Sequence, residues 1–279
     1  MLVAHPARLL CHDRQVAGER GVVGEQGWDA GGYDRSFGFV SRYGRELTDL
    51  LAPVPGERVL DLGCGTGELA AALAELGIEV HGIDADAAMI AQARAKHPEI
   101  SFEQADAHDF VVADPVDAVL SNAALHWMLD PAAVIARVRA ALRPGGRLVA
   151  EFGGQGNVAM IRSAVHGAAT AAGIDRTRLG SPWFFPSPAA YATLLEDGGF
   201  RVRRMEHFDR LTALDDCPDG IVDWLRMFGT DLLPGVPTDL RDQVMHAAAE
   251  RCRSALFRDG RWYADYVRLR VWAERPDHS

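Results

Sequence analysis

Asp61 and the glycines Gly63, Gly65 and Gly67 fall within the run Val59–Gly67, which reads VLDLGCGTG. An apolar stretch leads into an acid, then a turn with glycine at alternate positions, then the helical pattern Glu68–Leu76. Strand, glycine-rich turn and helix in that order open a nucleotide-binding βαβ unit. Side chains at those glycines would hold a ligand off the backbone. The spacing G-x-G-x-G differs from the dinucleotide fingerprint G-x-G-x-x-G. A tighter loop that need not cradle phosphates on the helix N-terminus favours a small nucleoside cofactor without a pyrophosphate. Cys64 lies inside this loop and joins the candidate cofactor contacts.

Two further carboxylates stand where such a cofactor needs acceptors. Asp84 ends the second strand pattern, Glu79–Asp84, where an acid accepts from both ribose hydroxyls; Ala85 follows it. The alternative for Asp84 is a helix or turn cap. Asp106, in Ala105-Asp106-Ala107 beyond the third strand, can accept from an adenine amino group or be a plain surface loop residue. Met89 either covers the adenine face or belongs to a helix core.

These residues need a sheet to carry them. A helical pattern starts at Ser36, with Val40, Tyr43, Leu47, Leu50 and Leu51 near one face. Strand patterns at Arg58–Leu62, Glu79–Asp84, Ser101–Gln104, Val116–Asn122 and Arg147–Phe152 then alternate with helices. Asp86 caps the helix that runs to His97, and Asp130-Pro131 opens another. Arg143-Pro144-Gly145-Gly146 breaks that helix. The rhythm predicts an α/β fold, a doubly wound and mostly parallel sheet. Beyond Phe152 come helical stretches at Asn157–Ala172, from Ser187-Pro188, at Ile221–Phe228 and at Thr238–Phe257, with strands at Phe200–Asp209 and Trp262–Glu274. The predicted organisation is an N-terminal arm over 1–35, a cofactor-binding core over 36–152, a substrate lid over 153–261 and a final core strand and tail over 262–279. The strand 200–209 belongs to the core sheet.

With these motifs in hand, the chain from about Tyr33 to Phe152 resembles a class I S-adenosylmethionine-dependent methyltransferase. The resemblance rests on Asp61-Leu62-Gly63-Cys64-Gly65-Thr66-Gly67, Gly82-Ile83-Asp84, Ala105-Asp106-Ala107 and Leu142-Arg143-Pro144-Gly145-Gly146. Ser121-Asn122-Ala123-Ala124-Leu125-His126-Trp127 further resembles the trans-aconitate methyltransferase subgroup. The resemblance implies S-adenosylmethionine as cofactor, with S-adenosylhomocysteine as product, and a seven-stranded Rossmann-like sheet whose last strand is antiparallel. It also implies that Asn122 and Ala123 lie near the methionine end of the cofactor, with Tyr33 and the glycine loop flanking its carboxylate.

Methyl transfer from a sulfonium is an in-line displacement that needs alignment and dryness, and a base only for some acceptors. His126 and His166 are the candidate bases, or else satisfied structural histidines. Trp127, Trp183, Phe184, Phe185, Trp224, Met227 and Phe228 read either as a pocket for an apolar or aromatic secondary metabolite, methylated on O or C, or as a lid core packed on itself. The apolar or aromatic metabolite is the expected acceptor; the alternative is a carboxylate of a small organic acid, which needs no base and would want an arginine clamp, with Arg226, Arg258 and Arg261 available.

Bulk properties limit the partners. At 279 residues, 48% of them apolar, the chain can bury a sizeable core. A net charge of −10 argues against a general polyanion binder, so no nucleic-acid partner is expected. The four cysteines, Cys11, Cys64, Cys217 and Cys252, show no metal-ligand spacing and suit a reducing cytoplasm. No apolar run reaches the length of a membrane span. The expected partner is a small molecule, with homo-oligomerisation through the N-terminal arm left open. A nicotinamide-dependent oxidoreductase, an RNA or protein methyltransferase and a non-catalytic cofactor-binding regulator are the competing classes. The loop spacing and Ala105-Asp106-Ala107 speak against the first, and the intact glycine loop and ribose acid against the last. The charge, and Ser121-Asn122-Ala123-Ala124 in place of an Asn/Asp-Pro-Pro-Tyr/Phe motif, speak against the RNA and protein reading.

Overall fold

The computed structural model describes residues 46–277. The expected N-terminal arm, Tyr33 and the start of the first helix lie outside the described residues; the described part of that helix is 46–51. The chain then runs β1 (Arg58–Leu62), α1 (Glu68–Ala74), β2 (Glu79–Asp84), α2 (Ala87–Lys96), β3 (Ser101–Gln104), β4 (Val116–Asn122), α3 (Pro131–Ala141) and β5 (Leu142–Gly153). It continues with α4 (Ala159–Ala171), α5 (Pro188–Asp197), β6 (Arg201–Ala213), α6 (Ile221–Phe228), α7 (Thr238–Leu256), β7 (Phe257–Arg258) and β8 (Arg261–Glu274).

The main sheet has the order β3-β2-β1-β4-β5-β8-β6. Its first five strands are mutually parallel, and β8 runs antiparallel to both β5 and β6. The seven-stranded sheet with an antiparallel last strand is therefore present. An unexpected two-residue strand, β7, forms a hairpin with β8 through Asp259 and Gly260, whose φ angles of +50° and +76° suit a turn that follows strand twist. Two expectations fall short. β5 begins at Leu142, where it already pairs with Val116, rather than after the Arg143–Gly146 turn. β6 continues past Asp209 to Ala213, because β8 offers it backbone partners as far as Tyr263.

Both faces of the sheet are buried, as parallel strands require. Leu60, Leu62, Val119, Leu148, Ala150 and Phe152 face α3 and α5, meeting Val134, Ile135, Val138, Tyr191 and Leu195. Val59, Ala118, Leu120 and Val149 face the other way, onto Leu47, Leu51 and Leu73. Asp130 and Ser187 cap α3 and α5 by accepting the Ala133 and Ala190 N–H groups, and Pro131 and Pro188 open their first turns. A separate apolar cluster joins α4, α6 and α7 through Val165, Ala168, Trp224, Leu225, Val244 and Ala248. No helix of the described residues is long and apolar enough to cross a membrane.

The sheet order reverses at β1, whose neighbours are β2 and β4. In an open α/β sheet the crevice beyond the carboxyl ends of such strands is where ligands bind.

Candidate cofactor and acceptor site

At the reversal point the glycine loop is pinned from three sides. The Gly63 and Cys64 N–H groups donate to the Ile83 carbonyl at 2.8 and 3.0 Å. Ser121 on β4 donates through Oγ to the Leu62 carbonyl at 2.8 Å. Asp84 closes the third side, its Oδ2 accepting from the Gly65 N–H at 2.9 Å and its Oδ1 from the Asp86 N–H at 2.9 Å. Gly63 has no alternative residue here: its φ is +76°, and a Cβ would sit 2.3 Å from the Ala124 Cβ.

The loop encloses uncompensated negative charge. Asp61 is 2% exposed, and its Oδ2 is enclosed without a hydrogen-bond partner. Burial, reinforced by the nearby Asp84 carboxylate and opposed by the Ala70 N–H, raises its pKa to about 7. Burial also raises the pKa of Asp84, against the N–H groups of Asp86 and Gly65. Burial and the same two carboxylates push the Cys64 thiol far up, so it stays protonated. Two crowded acids at the mouth of a crevice suit a ligand that brings hydroxyl donors and positive charge. A nucleoside carrying a sulfonium and an ammonium fits that requirement.

The other predicted cofactor residues gather along the same edge. Ala85 is exposed and its carbonyl accepts from Gln104 at 3.1 Å. Met89 is buried in the first turn of α2, its N–H held by the Asp86 cap. Ala107 is buried; Asp106 is exposed and accepts from the His108 N–H at 2.9 Å and the His108 Nδ1 at 2.5 Å. Burial opposes the Asp106 charge, but these His108 contacts outweigh it and hold the carboxyl below its usual range. Asn122 ends β4 and Ala123 follows at φ +57°, an uncommon angle for a residue with a side chain, with its N–H on the Glu151 carbonyl at 2.7 Å.

The two histidines do not come together. His126 sits in a short 3-10 turn, Leu125–Trp127, and is 8% exposed. The Gly153 N–H donates to its Nδ1 at 3.5 Å, so the neutral ring carries its proton on Nε2. Burial, with Arg268 adding to it, pushes the His126 pKa well down. Burial thus keeps the ring neutral, with its Nδ1 lone pair facing the Gly153 N–H. His166 lies instead on α4, beside Arg162 and Arg176. Burial first, then these two guanidiniums, lower its pKa.

The aromatic residues mostly meet one another. Trp183 stacks on Phe185 with centroids 5.5 Å apart and packs on Trp127 and Trp224. Trp224, 2% exposed, donates from Nε1 to the Tyr266 Oη at 2.6 Å and contacts Phe228. Phe184 turns to the opposite core and meets Tyr191. Most of this aromatic surface is thus taken by the lid's own packing, while Phe185, half-buried, stays within 5.7 Å of the His126 ring. The arginine clamps proposed from sequence are engaged elsewhere: Arg226 with Asp219, Asp223 and Asp242, Arg261 with Asp215, and Arg258 with the Ala255 carbonyl.

Sequence reasoning missed a different arginine. Glu151 on β5 is buried and gathers Arg268 at 3.2 Å, Arg270 at 2.7 Å and Arg210. Burial works against its charge, but the arginines outweigh it and keep the carboxylate ionised. Arg268 pairs across the sheet with Gly153, the residue whose N–H holds His126. It is 7% exposed, its Nε donates to Glu151, and its guanidinium lies over the Tyr266 ring at 5.8 Å from the centroid. The available signal was a glutamate inside the apolar run Leu148–Phe152, facing arginines on two later strands.

A family model described as a methyltransferase domain matches residues 59–146, the stretch that carries the loop, Asp84, Asp106 and Asn122. An uncharacterized methyltransferase of Schizosaccharomyces pombe is 32% identical over 264 residues, covering 90% of this chain and 99% of that protein. A trans-aconitate 2-methyltransferase of Deinococcus radiodurans is 31% identical over 272 residues, with 90% and 99% covered. Among solved structures, a Bacillus halodurans chain matches with a TM-score of 0.59 at 18% identity, covering 84% of this chain and 98% of that one. A Haemonchus contortus phosphoethanolamine N-methyltransferase 2, solved with S-adenosylhomocysteine, matches with a TM-score of 0.56 at 17% identity, covering 88% and 56%. At these identities the structural matches speak for the fold.

Proposed function

We infer the reaction from family membership: the chain belongs to the class I S-adenosylmethionine-dependent methyltransferases. We propose that it esterifies a carboxylate of a small organic acid. S-adenosylmethionine, when bound, would supply a methyl group on a sulfonium, and an acceptor oxygen that took it as the carbon–sulfur bond broke would leave S-adenosylhomocysteine and a methyl ester. Asp84 would accept the ribose hydroxyls, Asp106 the adenine amino group, and the loop Gly63–Gly67 with Asn122 and Ala123 would bed the methionine end.

The observation that carries the choice of acceptor is the contact of the Gly153 N–H with the His126 Nδ1 at 3.5 Å. With Nδ1 occupied by the Gly153 N–H, the ring offers a proton and no base. The Arg268 guanidinium, anchored by Glu151, places further donors on the neighbouring strand. Donors without a base suit an acceptor that is already an anion, because a carboxylate attacks without losing a proton. The similarity to a trans-aconitate 2-methyltransferase along nearly the whole of that protein supports the same reading. A phenolic or carbon acid acceptor would need a base that neither His126 nor the self-packed aromatic lid supplies.

The test is incubation with methyl-labelled S-adenosylmethionine and trans-aconitate, followed by mild base. Label that is released as methanol supports ester formation. Label that survives base, or transfer to an aromatic hydroxyl compound but to no carboxylate, overturns it.

A further inference from the structure

A cavity of about 530 Å³ opens along α4 and is lined by Ala159, Arg162, Ser163, His166, Gly167, Thr170 and Arg176. Arg162, His166 and Thr170 recur every four residues and so share one helix face. Among the lining residues none is acidic. Neither the Arg162 nor the Arg176 guanidinium enters an ion pair or a hydrogen bond among the described residues, whereas Arg147, Arg203, Arg210, Arg268 and Arg270 are all salt-bridged. The Arg162 Nε and the His166 Nε2 are enclosed and have no partner. From α7, the Arg251 guanidinium comes within 3.2 Å of where a Cβ on Gly167 would lie. Enclosed polar atoms without partners are uncommon in a folded protein, and here two of them belong to side chains that line a cleft with no acid in its wall.

The cleft also reaches toward His126 through Phe185. The Arg162 guanidinium lies over the Phe185 ring at 5.9 Å from its centroid, and Phe185 lies 5.7 Å from the His126 ring. One aromatic ring therefore separates the two sets of donors.

We propose that the α4 cleft is an anion subsite that binds a second carboxylate of the acceptor, remote from the one methylated. Arg162 and Arg176 hold the charge, and His166 serves as a neutral hydrogen-bonding wall rather than a catalytic base. The identity of the ligand as acceptor rests on the carboxylate reading above; the presence of an anion subsite does not. Two guanidiniums facing a multiply charged acid discriminate it from a monocarboxylate of similar length, which would leave them unpaired.

Calorimetric titration of the full chain, saturated with S-adenosylhomocysteine, tests this with citrate, butyrate and inorganic phosphate as probes. Citrate should bind the unmodified protein more tightly than butyrate. The double variant Arg162→Gln, Arg176→Gln should weaken citrate binding by about tenfold or more while S-adenosylhomocysteine affinity stays unchanged, which also shows that the variant is folded. Arg162→Lys, with the charge kept, should recover part of the loss. Equal citrate affinity in the double variant, no citrate binding by the unmodified protein, or binding of phosphate with exclusion of citrate would overturn the proposal. Ester formation is scored separately. Citrate binding that depends on Arg162 and Arg176, in a protein that forms no ester, would sink the carboxyl-methylation reading and leave the anion subsite standing.

Discussion

Replacing Asp61 by asparagine should make the ligand-free protein more stable at neutral and higher pH, and less able to hold its cofactor. The carboxyl is 2% exposed, one of its oxygens is unpartnered, and its pKa stands at about 7 against an ordinary 3.8. The unfolded chain releases this proton near 3.8, while the folded chain keeps it to about 7. Between those values the folded state binds more protons, so its stability falls as pH rises. Roughly three pH units, at about 1.36 kcal/mol each, make a penalty of about 4 kcal/mol, fully present above about pH 7 and absent below about pH 4. Asparagine keeps an acceptor for the Ala70 N–H and removes the charge. The stability difference between Asp61→Asn and the unmodified protein should therefore grow from near zero at about pH 4 to about 2–4 kcal/mol at about pH 8. Urea unfolding of both proteins across this pH range measures it, and S-adenosylhomocysteine binding at the alkaline end should be weaker in the variant. A stability difference that does not change with pH would refute the reasoning, since only ionisation of a buried acid gives that slope.

Further outcomes test the rest of the site. Gly63→Ala adds a Cβ at 2.3 Å from the Ala124 Cβ at a positive φ, and should cost about 2–4 kcal/mol by thermal unfolding. Adding Ala124→Gly should return the steric part and leave the backbone strain. Asp84→Ala should weaken S-adenosylhomocysteine binding by about tenfold or more, because hydrogen bonds to a charged acceptor are worth about 1.5–3 kcal/mol each; unchanged affinity in calorimetry would remove Asp84 from the site. Arg268→Gln should raise KM for a carboxylate acceptor by about tenfold or more with cofactor affinity unchanged, and an unaltered KM would take Arg268 out of acceptor binding. Glu151→Gln leaves three arginines around a neutral amide and should destabilise the fold by about 3–5 kcal/mol in urea.

The cofactor half was legible because local backbone chemistry dictates it. A turn that needs positive φ and close approach admits glycine at Gly63, and an acid at a strand end such as Asp84 can accept the N–H groups of the turn beside it. The capping residues Asp86, Asp130 and Ser187 announce their helices for the same reason, since each satisfies N–H groups a few residues away. Chain-order alternation of strands and helices likewise dictated the parallel half of the sheet.

What depended on distant parts of the chain was decided only by the tertiary structure. Whether His126 is a base or a donor turns on the Gly153 N–H, 27 residues later, and on Arg268 across β8. Whether an arginine is a clamp or a surface ion pair turns on what lies opposite it. Arg226 found aspartates, Arg268 found Glu151, and Arg162 and Arg176 found no acid among the described residues. The aromatic residues of the lid carry equal hydrophobicity in sequence, but a ring buries its surface against whichever neighbour the fold delivers. Here that neighbour was usually another ring of the lid. Local dihedral and capping rules act within a few residues and can be read along the chain. Charge compensation and burial act through space, and they settle only when the strands and the lid come together.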